Sequence, residues 1–133
     1  MEVRDIDVIK TWVMQGTLNF TRYMFKTMFK RKFVVGQHHI AIADALDKVL
    51  RGETKRLIIN MPPRYGKTEL AVKHFISFGL GINPRAKFIH LSYSDDLVRD
   101  NSKGVQDIVR MPEYARLFPN VVPTTSNSRK WFT

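Results

Sequence analysis

The residues best equipped for chemistry lie together in Met61-Pro62-Pro63-Arg64-Tyr65-Gly66-Lys67-Thr68-Glu69-Leu70. A loop that holds nucleotide phosphates needs converging backbone N–H groups and a helix that starts at the same point. It also needs a lysine for the terminal phosphates and a hydroxyl for Mg2+. Gly66-Lys67-Thr68 matches the close of such a loop. Gly66 permits close backbone approach, Lys67 is the phosphate cation, and Thr68 is the Mg2+ ligand. The front of the loop departs from the pattern G-x-x-x-x-G-K-[ST], because Met61 stands where the first glycine belongs. Pro62 and Pro63 have no N–H to offer and stiffen the approach instead. Arg64 adds a planar cation inside the loop.

The flanks supply the context that the tripeptide alone lacks. Arg56 to Met61, RLIINM, is a short apolar run with β-branched residues between a charged GETK and two prolines, and it predicts a buried strand. Lys67 to Leu80 carries Leu70, Ala71, Phe75 and Phe78 in helical spacing and predicts a helix. Lys87 to Ser92, KFIHLS, predicts a second strand. Ser94 or Asp95 caps a helix to about Arg110, and Met111 to Phe118 predicts a short helix with proline in its first turn. Strands alternating with helices imply an α/β fold, a parallel sheet covered by helices.

Helices precede this unit. Asp5 to Met14 predicts a first short helix, broken near Gly16. Thr17 to Lys32 predicts an amphipathic helix with Phe20, Met24 and Met28 on its apolar side and Arg22, Lys26, Lys30, Arg31 and Lys32 on its polar side. That pattern serves a helix packed on its own domain, and it also serves one that touches DNA or a membrane surface. Gln37 to Leu50 predicts another helix, ended by Gly52. The segments divide the chain into an N-terminal helical part, 1–32, and a nucleotide-binding part, 33–133.

Composition narrows the partners. The 133 residues include 22 Lys and Arg against 12 Asp and Glu, a net charge of +10. Such an excess favours a polyanion, nucleic acid first. The absence of cysteine excludes disulfides and thiolate metal sites. No segment is apolar for long enough to span a bilayer, and MEVRDIDVIK does not open like a secretory signal. The neighbours His38 and His39 do not converge on a helix and have no third ligand at useful spacing, which argues against a metal site.

The segment MPPRYGKTEL resembles the Walker A loop of terminase large subunits, the ATP-driven motors that package DNA into phage capsids. The resemblance extends to GQHHIAIADALDKVLRGETKRLIIN before the loop and to INPRAKFIHLSYSDDLVRDNS after it, including Ser92-Tyr93-Ser94. EYARLFPNVVP and Trp131 are similar as well, so residues 33–133 are covered. The resemblance implies the start of a P-loop NTPase domain. It implies that Pro63, Arg64, Tyr65, Gly66, Lys67, Thr68 and Glu69 surround ATP, with Mg2+ on Thr68. Lys67 would contact the β- and γ-phosphates, and Arg64 would stabilise the γ-phosphate as an arginine finger does. Gln37 is placed to read adenine, or else serves as a polar residue opening its helix. Partners implied are double-stranded DNA, a small terminase subunit and a portal protein, with a homo-oligomeric ring in the cytoplasm of a bacterial host.

ATP turnover needs a further strand ending in an acidic pair. The one candidate, Asp95 and Asp96, falls beyond the end of KFIHLS and is better explained as the start of a helix. The expectation is therefore a chain that binds nucleotide without turning it over efficiently: either the front part of a larger protein, whose full length in this family also carries a nuclease domain, or a complete small protein whose partner supplies the remainder. Two other functions share these features: a helicase-like nucleic-acid ATPase, and a non-catalytic basic module that binds DNA or assists assembly.

Overall fold

The computed structural model describes residues 3–60 and 68–121, and 65% of them are helical. α1 runs Val3–Val13, α2 Thr17–Phe29 and α3 Gln37–Leu50. A π-helical segment, Glu69–His74, passes directly into α4, Phe75–Ile82. α5 spans Asp95–Val109 and α6 Pro112–Leu117.

Local chemistry sets most of these limits. α2 starts after Gly16, and its amino end is closed by a side chain from α3. Asp47 Oδ1 accepts the Thr17 N–H at 2.9 Å and the Thr17 hydroxyl at 2.6 Å. A carboxylate at that point satisfies a free N–H and meets the positive end of the helix dipole. A Cβ at position 16 would stand 2.6 Å from Asp47 Oδ2, so a side chain there would push this carboxylate from its place at the helix end. At the start of α3, the Gly36 N–H donates to His39 Nδ1 at 2.9 Å and the Gly36 carbonyl accepts the His39 N–H at 3.0 Å. Gly52, with φ of 79°, takes the left-handed conformation that ends this helix. The Ser94 side chain accepts the Leu97 N–H and caps α5, and Pro112 opens α6, both as the sequence predicts.

Phe20 of α2 is the centre of the larger core. Its ring centroid lies 5.1 Å from that of Phe78 and 6.1 Å from those of His74, Tyr114 and Phe118. Val13, Met24, Ile108 and Leu117 complete this cluster from α1, α2, α5 and α6. The buried Tyr114 hydroxyl donates to the Ser77 carbonyl at 2.6 Å, which fastens α6 to α4, and burial raises the pKa of its phenol. A second cluster holds Ile42 and Leu46 of α3 against Leu70, with Ile59 and Phe75 beside them.

The α/β expectation is corrected here. The described residues contain no β-strand and no parallel sheet; their fold is all-helical. The two predicted strands fail because a strand exists only with a neighbour to share its backbone hydrogen bonds. Residues 56–60 and 87–92 make no such ladder. The core instead closes by contact of helix with helix, and the two runs are left at its margin. Ile59 reaches the smaller core, while Ile58 is 84% exposed and Ile89 and Leu91 are 86% and 84% exposed. The partial P-loop architecture drawn from the sequence is therefore not the architecture of these residues.

Candidate nucleotide-binding segment

Five of the predicted site residues, Pro63, Arg64, Tyr65, Gly66 and Lys67, lie outside the described residues. Thr68 opens the helical run that follows, with helical φ and ψ of −66° and −42°, and its side chain is exposed. Its hydroxyl makes no capping bond to the turn it begins.

Glu69, also expected at the nucleotide, is engaged within its own turn. Its Oε1 lies 3.1 Å from the Lys73 ammonium, with both side chains partly buried. Its backbone carbonyl accepts a hydrogen bond from His74 Nδ1 at 2.7 Å. A carbonyl cannot donate, so the ring carries its proton on Nδ1. The Glu69 Oε2 atom, 3.7 Å from the same nitrogen, completes no ion pair while the ring is neutral. Burial is the main influence on His74 and holds its pKa below the usual histidine range, against a smaller opposing pull from the Glu69 carbonyl and carboxylate.

The turn is wider than an α-helix. The Phe75 N–H is shared between the Leu70 carbonyl five residues back and the Val72 carbonyl three back, and skips the carbonyl four residues back that an α-helix uses. Leu70 anchors the turn in the smaller core and His74 in the larger one. The segment is thus held from both sides while Thr68 stays open to solvent.

Gln37 is the first residue of α3 and is exposed. α3 packs on the π-helical segment through Ile42, Leu46 and Leu70. No hydrogen bond joins Gln37 to Thr68 or Glu69, so among the described residues the three do not form one cluster. Asp95 and Asp96 sit in the first turn of α5, the place of helix-opening acids.

His74 was not legible as a site residue in the motif, yet the sequence carries a signal for it. Leu70, His74 and Phe78 recur every four residues, which puts a titratable group on an apolar face. The structure buries all three.

A cavity of about 500 Å3 flanks the same helix, between Val72, Ile76 and Leu80 on one side and Phe88 and Val105 on the other. Its polar edge is the Asn101 amide, 3.0 Å from His90 Nε2. No lysine, arginine or carboxylate lines it, so it lacks the charges that phosphates require. Among the described residues, no three His, Asp or Glu gather to hold a metal ion, and no helix is long and apolar enough to cross a membrane. No family model matches the chain, and no curated protein or solved structure matches it.

Proposed function

We propose that the chain binds Mg2+·ATP through the segment ending in Gly66-Lys67-Thr68, as the nucleotide-binding part of a DNA-packaging motor of the terminase large-subunit kind. The observation that carries this reading is the junction at Thr68. Thr68, the last residue of the Gly66-Lys67-Thr68 motif, opens a helical run, and the opening N–H groups and dipole of a helix favour an anion. The reading rests on that junction and on the motif, with no role for a sheet. Lys67 would meet the terminal phosphates, Thr68 the Mg2+, and Arg64 the γ-phosphate. Double-stranded DNA would be held mostly through its phosphates, so that binding weakens steeply with salt.

The test is a titration of labelled ATP with Mg2+ against the wild type and Lys67→Ala, with circular dichroism used to hold fold content constant. A large loss of affinity in the variant is expected. Equal affinity in the two proteins, or none in either, sinks the nucleotide reading.

One observation favours a second reading, a basic helical module that binds DNA without nucleotide. The outer side of α2 and the residues after it expose Arg22, Lys26, Lys30, Arg31 and Lys32, within a chain of net charge +10. This reading predicts ATP-independent binding of duplex DNA whose salt slope falls by about one for each of these cations removed from a phosphate contact. An unchanged slope in Lys26→Ala/Lys30→Ala removes it.

A further inference from the structure

His74 is the one titratable side chain of the turn after Thr68 that is wholly buried, and its two nitrogens have opposite fates. Nδ1 is bonded to the Glu69 carbonyl at 2.7 Å. Nε2 is buried with no partner. An unpartnered buried polar atom carries a cost that a hydrocarbon in its place would avoid. The imidazole also stands edge-on to Phe20 at the centre of the core, with centroids 6.1 Å apart. A phenyl ring would pack there without an orphan nitrogen. What a phenyl ring lacks is the donor to Glu69.

That donor spans the same five-residue interval as the widened backbone of the turn. In an α-helix the Glu69 carbonyl would serve the Lys73 N–H, four residues on. Here its bonded side-chain partner comes from the fifth residue on, and the Leu70 carbonyl likewise receives the Phe75 N–H. Single π-turns of this sort are uncommon and gather at functional sites.

We propose that His74 is a positioning residue: by donating from Nδ1 to the Glu69 carbonyl while its ring is wedged against Phe20, it holds the Thr68–Glu69 turn in the wide register that presents Thr68 to a bound nucleotide. This role rests on the nucleotide reading given above. His74 touches no phosphate; it acts through the backbone of Glu69. Two substitutions separate the bond from the packing. H74F keeps a ring in the core and removes the donor. H74N keeps an amide donor close to the Nδ1 position and gives up ring volume.

The measurements are Mg2+·ATP affinity, the amide spectrum of residues 68–75 and the 15N shifts of the His74 ring, all on the full chain. The wild-type ring should show the Nδ1–H tautomer. H74F should stay folded, displace the amide signals of the turn and bind about fivefold more weakly, the equilibrium worth of a hydrogen bond. H74N should recover most of the affinity even if it is less stable. H74F that binds as tightly as the wild type overturns the role, as does an Nε2–H tautomer. A wild type that binds no Mg2+·ATP overturns the nucleotide reading and this role with it, and is told apart because the variants are then irrelevant to the result.

Acid gives a further readout. The charges that act on the ring are the Glu69 carboxylate and the Lys73 ammonium of its own turn, and its neighbour from α2 is the uncharged Phe20. With the folded-state pKa below the unfolded value of about 6.5, the unfolded chain binds a proton that the folded chain refuses. The penalty is absent above that pH and grows as pH falls toward the folded-state value. H74F should lack this part of the acid slope. Superimposable wild-type and H74F stability curves through that range overturn the buried neutral ring.

Discussion

Phe20 and Ile89 are both large, apolar and set in apolar stretches of sequence, yet the first is wholly buried and the second is 86% exposed. The helices that carry Phe20 satisfy their own backbone hydrogen bonds, so their apolar faces are free to pack in any direction that suits the side chains. The segment that carries Ile89 does not. Residues 87–92 need a neighbouring strand before their backbone can leave water, and the described chain offers none. Apolar composition therefore decides burial only after the backbone has found its partners.

The contrast can be broken most severely at its buried end. Phe20→Ala removes a ring that four other aromatic rings touch, and should cost about 3–5 kcal/mol of stability in urea unfolding. A loss under about 1 kcal/mol would show that the cluster is not the core. Asp47→Ala comes next. It opens the amino end of α2 and frees the Thr17 N–H and hydroxyl, with an expected loss of about 1–2 kcal/mol by thermal or urea unfolding. Asp47→Asn, which still accepts but carries no charge, should recover a good part of it. The smallest effects belong at the exposed end. Ile58→Ser and Ile89→Ser should each shift stability by no more than about 0.5 kcal/mol. A cost several times larger in either would mean that its segment is covered in solution, and would redraw the comparison.

The helices were legible because their signals are local. α3 occupies the residues Gln37–Leu50 that its apolar spacing marks, and Gly52, Ser94 and Pro112 stand where helix-stop, cap and first-turn chemistry puts them. RLIINM and KFIHLS do not pair as strands among the described residues, because a short apolar run announces a preference for burial without naming its partner. The presence of a strand is a property of two segments, and a single sequence shows each one alone. The site was legible only in part for a related reason. The motif names Lys67 and Thr68, but the turn after them also carries a side-chain bond from His74 Nδ1 to the Glu69 carbonyl, which no pattern of residue types encodes. Glu69, assigned to the nucleotide by resemblance, turns inward to Lys73.

Tyr114 and Phe118 close over Phe20 from the far end of the described chain. During synthesis, α2 leaves the ribosome long before the residues of α6 that pack on Phe20 have been translated. Until α6 emerges, Phe20 lacks the two rings of Tyr114 and Phe118 even where His74 and Phe78 already reach it, and the nascent chain displays the kind of surface on which chaperones and aggregation compete. The order of synthesis thus makes α6 the last of the described helices to close on this core.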